Sequence, residues 1–346
     1  MVKKFTNHSN YMKILRYALL IFAFLISVVA QAQYGRNNRN ARFTNKKKYY
    51  TVGFVTSSAL FMGDIAPKRK MGSTDFSMIR ANAGPVFTYK FSPRLSMRAG
   101  INYIEVAGDD NNLTADVESP DFGRWKRNLH FKNQMVEASF GFTFDIVPNG
   151  GAYYARPVAV PYLIGGVGLL MHNPQAMTPG GGAWVNLRDL QTEGVSYGST
   201  TISFPLGFGI KTKVHPFFDL GFEVIYRTTI TDYLDDVSGN FPLDPDPNSQ
   251  SWEMSSRALE STGAWSGKSR DISLVGERFY TTNSGATVLA GNGYGPGEWR
   301  GGTNVPDGGS NFDGILTFGV HAMYIIPQGG LTQGKMGRGS KHHKRR

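Results

Sequence analysis

The chain has 346 residues, no cysteine, and 37 Lys plus Arg against 26 Asp plus Glu, a net charge of +11. Without cysteine it forms no disulfide, holds no thiolate-bound metal, uses no cysteine nucleophile and carries no cysteine-linked lipid anchor. The positive charge sits at the ends: 16 basic residues fall in 1–48 and 335–346, where no acid occurs, leaving 21 against 26 acids between them, a net of −5. That distribution argues against a basic nucleic-acid-binding face.

Residues 1–32 read as a signal peptide. Lys13 and Arg16 give a basic start, Ala18 to Ala30 an apolar run, and Ala30-Gln31-Ala32 an A-x-A cleavage site. An uncleaved membrane helix is the rival, but the run falls short of the roughly 20 residues a span needs. Residues 33–48 form a basic tract without periodicity, expected to be a mobile periplasmic leader. The predicted barrel domain covers 49–328, and a basic tail follows at 329–346.

Within 49–328 the sequence predicts eight strands by period-2 alternation. The first runs from Tyr50 to Gly63, with Val52 and Phe54 on one face. The second runs from Pro85 to Phe91, and the third from Leu95 to Gly108. The fourth, Leu129 to Val147, sets Phe140, Phe142, Phe144 and Ile146 against Glu137, Ser139, Gly141 and Thr143. The fifth, Pro161 to His172, opposes Leu163, Val167, Leu169 and Met171 to three glycines. The sixth and seventh lie in 200–237. There Ile202, Phe204, Leu206, Phe208 and Ile210 share one face, and Phe218, Leu220, Phe222, Val224 and Tyr226 another. The eighth runs from Ile315 to Gln328.

The connections alternate in length. Ser92-Pro93-Arg94 and Val214-His215-Pro216 are short, and Pro148 to Val160 is intermediate. The loops at 64–84, 109–128, 173–199 and 238–314 are long. Short turns on one side and long loops on the other are the pattern of an outer-membrane barrel, with the short side and both termini in the periplasm. A soluble barrel would bury its bulky residues and expose its charges. Here the polar faces are mostly Gly, Ser and Thr, which suits a crowded interior.

The reading is therefore all-β: an up-and-down antiparallel transmembrane β-barrel of about eight strands, with a closed, side-chain-filled lumen and long extracellular loops. Phe142, Phe144, Phe208, Phe222 and Phe318 are expected to face lipid. Lys90, Arg98, Glu137, Lys211, Glu223 and Arg227, with His321, are expected to fill the lumen as a charge network. An ion path through it is the rival to a structural plug. The long loop at 238–314, rich in Gly, Ser and Asn, is expected to be mobile, with a short hairpin near Ser273 to Thr282.

Two further clusters carry alternatives. Asp109-Asp110 and Asp235-Asp236, with Asp244 and Asp246 nearby, are solvated loop acids in the simplest reading. Asp235 and Asp236 are weak calcium candidates through hard-oxygen ligands, and the pairs, with His172, are also the only candidates for a loop-borne hydrolase. The basic ends would meet an anionic leaflet, an acidic partner or a cell-wall polymer. His342 and His343 are too few for a metal site. No phosphate loop, zinc helix motif or G-x-S-x-G occurs, and no cofactor is expected.

Five segments carry a resemblance: FMGDIAP at 61–67, GPVFTYKFSPRLSMRAGINYIEVAGDD at 84–110, RNLHFKNQMVEASFGFTFDI at 127–146, PYLIGGVGLLMHNPQA at 161–176 and IYRTTITDYLDDVS at 225–238. In these the chain resembles the PorG-like outer-membrane barrel family of the Bacteroidetes type IX secretion and gliding machinery. The long loop before the last strand and the basic tail depart from that family.

The resemblance implies a non-enzymatic outer-membrane subunit that anchors or docks a periplasmic, lipoprotein-containing secretion ring. Its partners would be that ring and outer-membrane lipid. The docking candidates are the periplasmic turns, with Ser92, Pro93, Arg94, Tyr153, Tyr154, Arg156, His215 and Phe217. A stand-alone structural barrel is the alternative.

Overall fold

The computed structural model describes residues 47–65, 78–301 and 312–327. The predicted signal peptide, nearly all of the leader and the basic tail lie outside them. Twelve strands follow in chain order: β1 (Tyr49–Met62), β2 (Arg80–Lys90), β3 (Leu95–Asp109), β4 (His130–Asp145), β5 (Ala159–Met171), β6 (Pro174–Met177), β7 (Trp184–Asn186), β8 (Thr200–His215), β9 (Phe218–Thr229), β10 (Glu277–Thr281), β11 (Thr287–Gly291) and β12 (Gly314–Pro327). Three short helices join them: α1 (Phe122–Arg127), α2 (Leu187–Leu190) and α3 (Gln250–Ser255).

Eight of these strands close into a barrel. The order β3-β2-β1-β12-β9-β8-β5-β4 is completed by pairing of β3 with β4. Every pairing is antiparallel and between barrel strands that follow one another along the chain, and β1 with β12 closes the barrel. Closure leaves none of these eight strands with an unpaired edge, which a span through hydrocarbon requires.

The alternation resolves into an apolar outer wall and a polar interior. Phe142 is 47% exposed, Phe208 57% and Phe222 42%, whereas Glu137 is fully buried and Arg227 3% exposed. On β4 and the residue that follows it, the apolar outer positions run from Val136 to Ile146, beyond the polar Lys132 and Gln134. At ~3.3 Å per residue and a tilt of ~40° that band is about 25 Å tall, the thickness an outer-membrane barrel presents to lipid.

The two ends differ. At one end, here the turn end, the chain passes from β2 to β3, β4 to β5 and β8 to β9 by short links, and β1 begins and β12 ends. At the other, the cap end, the long loops fold together. Leu113, Trp125, Phe241, Trp252, Val275, Tyr280, Val288 and Tyr294 form a second hydrophobic core there, and β6 extends the sheet by pairing with β4.

The expectation of a mobile loop across 238–314 is corrected for residues 238–301. They contribute most of that core, supply α3, and form the β10–β11 hairpin, which starts four residues later than predicted and closes at Gly285, φ +87°. Glycine there adopts the left-handed backbone without a Cβ clash.

Candidate functional site

The barrel interior is stacked with ion pairs. Nearest the cap end, Arg227 Nε donates to Glu137 at 2.9 Å, Ser203 donates to the same carboxylate at 2.7 Å, and Arg227 also donates to Thr317 at 2.8 Å. Gly168 makes room for this group, since a Cβ there would stand 2.4 Å from Ser203 Oγ. In the next layer Arg98 grips Glu223 through two nitrogens at 2.7 and 2.8 Å, while Tyr162 donates to Glu223 at 3.1 Å and His321 lies 3.7 Å away. Toward the turn end Lys90 and Lys211 share Asp145 at 2.5 and 2.7 Å.

All six predicted lumen residues, and His321, thus point inward, in three layers of which the two nearer the turn end are joined by Lys211 over the Tyr162 ring at 5.3 Å. Two participants were missed by the sequence reading: Asp145 and Tyr162. Their inward parity is visible in the sequence, but their partners depend on cross-barrel register.

At the turn end, residues from two turns converge. Tyr153 packs edge-on against Tyr154, ring centres 5.3 Å apart, and lies 5.2 Å from Phe217. The His215 ring stands 6.0 Å from Phe217, which also stacks near Tyr324 on β12. Tyr154 is 60% exposed and His215 is exposed.

Arg156, one of the docking candidates, is buried beneath this cluster. It donates to Asp219 at 2.6 and 3.0 Å and to the carbonyls of Tyr153, His215, Pro216 and Phe218. A guanidinium has five donors in a planar fork, so one side chain ties both turns together. Ser92, Pro93 and Arg94 sit in a different turn. Asn149 N donates to Pro93 O at 2.8 Å, and exposed Arg94 donates to Ile146 O at 2.6 Å.

Asp109, Asp110, Asp235 and Asp236 are buried, not solvated, whereas Asp244 and Asp246 are exposed as expected. Asp110 accepts from Arg127 at 2.7 Å and from Arg124 at 3.3 Å. Asp236 accepts from Thr192, from Tyr197 at 2.6 Å and from Arg300 at 3.4 Å. Asp235 turns the other way, to the amides of Ile65 at 2.8 Å and Val237 at 3.1 Å. The left-handed backbone of Asp236, φ +68°, sends the two carboxylates apart. This overturns the calcium reading of that pair, and among the described residues no cluster of His, Asp and Glu is placed to hold a metal ion.

Burial raises the pKa of Asp236 against the pull of Arg300, and raises that of Glu193 beside it. Asp235 and Asp313 are pushed well above the carboxylate range, by burial first, then by Asp64 for Asp235 and by Asp235 for Asp313. Asp232 is pushed up to about 7 by burial. Burial also lowers His172 to about 4.

A closed up-and-down barrel with an apolar wall and an ion-paired interior defines a transmembrane β-barrel of the outer-membrane type. The chain belongs to the family described as Domain of unknown function (DUF6089), whose model matches residues 40–250. No functionally curated protein matches it.

Among solved structures it is similar to the attachment invasion locus protein Ail of Yersinia pestis in complex with the heparin analogue sucrose octasulfate, at 8% identity, covering 81% of this chain and 99% of that one, TM-score 0.31. It is similar to Neisserial surface protein A at 12% identity, covering 79% and 95%, TM-score 0.32. It is also similar to a major outer membrane protein from Thermus thermophilus at 10% identity, covering 80% and 99%, TM-score 0.33.

Proposed function

We propose that the protein is a non-enzymatic outer-membrane subunit that docks a periplasmic partner at its turn end, and that the partner is the lipoprotein-containing ring of type IX secretion. The observation that carries this reading is the aromatic cluster of Tyr153, Tyr154, His215 and Phe217, held outward by buried Arg156 at the mouth of a filled barrel. Side chains that fill the lumen leave transport no open route, so function falls to the surfaces. Tyrosine and arginine in an ordered, solvent-facing patch are the usual anchors of protein interfaces.

The resemblance of the barrel segments to the PorG-like family supplies the secretion-ring part of the reading. The short turns and both barrel ends lie on one side, and we place that side in the periplasm. Burial of Asp109, Asp110, Asp235 and Asp236 leaves none of the four presented to a substrate, which favours a non-enzymatic role. Loss of the gene is expected to block export of type IX cargo, with Tyr154→Ala a partial defect; normal export in the deletion strain would refute the secretion role.

The folded cap favours one other reading, a stand-alone structural barrel whose outer mouth is sealed by its own core. That reading predicts no ring protein in pull-downs of the intact barrel.

A further inference from the structure

Charge is divided unevenly between the two ends. Among the described residues, the carboxylates at the turn end are Asp145 and Asp219, both buried. Asp145 is taken by Lys90 and Lys211, and Asp219 by Arg156. Two cations that reach solvent there, Arg94 and Lys213, meet carbonyls instead of acids. Arg94 donates to Ile146 O at 2.6 Å, and Lys213 Nζ donates to Arg156 O at 3.2 Å and Tyr154 O at 3.4 Å.

Lys48 stands next to the first residue of β1, and no Asp or Glu occurs in residues 1–48 or 329–346. The cap end is different: Asp116, Glu118, Asp189, Asp244, Asp246 and Glu253 are exposed on it. Among the described residues the turn end therefore presents cations that reach solvent and no exposed acid, with Lys213 reaching the backbone of Tyr154 in the aromatic patch.

The geometry points to a protein partner whose contacting surface is rich in carboxylates. This inference rests on the docking reading above and gives the partner its chemistry. Tyr154 and its ring neighbours form the apolar centre, and Arg94 and Lys213 form the charged flank. Complementary rim charges steer encounter and select among partners, while a desolvated aromatic centre holds the complex. A lipid headgroup layer would satisfy Arg94 and Lys213. Tyr154 stands in the β4–β5 connection, 5.3 Å from the Tyr153 ring; tyrosine suits a lipid interface as well as a protein one, so the nature of the adduct separates the two.

The test is a photo-crosslinking amino acid at position 154 of the full chain in intact cells, with adducts identified as peptides. R94E/K213E is compared with the charge-conserving R94K/K213R, and a heat-modifiable gel shift verifies barrel folding. We expect adducts on acidic peptides, at least tenfold weaker in R94E/K213E and retained in R94K/K213R. Adducts on neutral or basic peptides, or adducts insensitive to charge reversal, would overturn the acidic-partner inference and leave docking standing. No protein adduct, or adducts to lipid alone, would overturn both.

Discussion

Arg227 on β9 and Glu137 on β4 meet at 2.9 Å inside the barrel, although neither strand is hydrogen-bonded to the other. The pair spans the interior and sets the spacing of opposite walls. Its carboxylate is also bonded by Ser203 and its guanidinium by Thr317. A buried ion pair contributes little net stability over apolar packing, but leaving one half alone is costly. Arg227→Ala or Glu137→Ala is therefore expected to destabilise the barrel by ~3–5 kcal/mol. The double change to apolar residues of similar volume is expected to cost much less. Urea unfolding of the refolded barrel in bilayers measures both.

The outer wall makes a second prediction. Phe222→Arg or Phe208→Arg places a cation against acyl chains and is expected to cost about 2–4 kcal/mol near the midplane, falling to ~0–1 toward the interfaces. Arginine at Lys132, where the wall is already polar, is expected to be nearly neutral. The depth profile is read from unfolding midpoints of the three variants.

Arg156 carries a third. Its contacts join the β4–β5 and β8–β9 connections, so Arg156→Ala is expected to leave the strands in place while the Tyr153–Phe217 contact is lost. Arg156→Lys does not restore it, because a single ammonium lacks the planar fork. The signature is a loss of aromatic ring-current shifts at Tyr153 with an unchanged far-ultraviolet spectrum.

A fourth concerns pH at the cap end. Asp313 accepts from Leu234 N at 2.8 Å, and Asp235 accepts from Ile65 N, so these carboxylates fasten three loop roots over the barrel mouth. Their folded pKa values lie above the unfolded range, with burial as the main cause. Between those values the folded form holds more protons, so stability falls as pH rises. The contribution is complete below about 4 and is lost as pH climbs through the folded values, with Asp232, at about 7, titrating alongside. Amide exchange at Ile65 and Leu234, corrected for intrinsic rate, is expected to be slower at pH 5 than at pH 8. Asp313→Asn is expected to flatten the difference.

The strands were legible because alternation is local: each of the eight shows its apolar face within a dozen residues, and closure needs only the matching faces. The lumen was legible as a set of charges, but not as layers. Which acid meets which base depends on register between strands distant in the chain, as with Lys90 and Asp145. The burial of Arg156 was hidden because it lies in a connection between strands. Its burial comes from Asp219, 63 residues on. The cap was hidden for the same reason: Trp125, Trp252 and Tyr280 come from separate segments without periodicity and share a core only after folding. Asp235 and Asp236 looked like a joint ligand pair until the backbone between them was seen to reverse.

The most direct test of the whole account is the environment of single cysteines placed in this cysteine-free chain. Spin labels at 142, 208 and 222, in the refolded protein in lipid vesicles, report collision with oxygen against a water-soluble nickel complex. Oxygen-dominated collisions are expected at all three, and dominance of the nickel complex at position 116 on the cap. Labels at 142, 208 and 222 that meet the nickel complex freely would contradict it, because the phenylalanines would not then face acyl chains and the turn end would have no membrane to be anchored in.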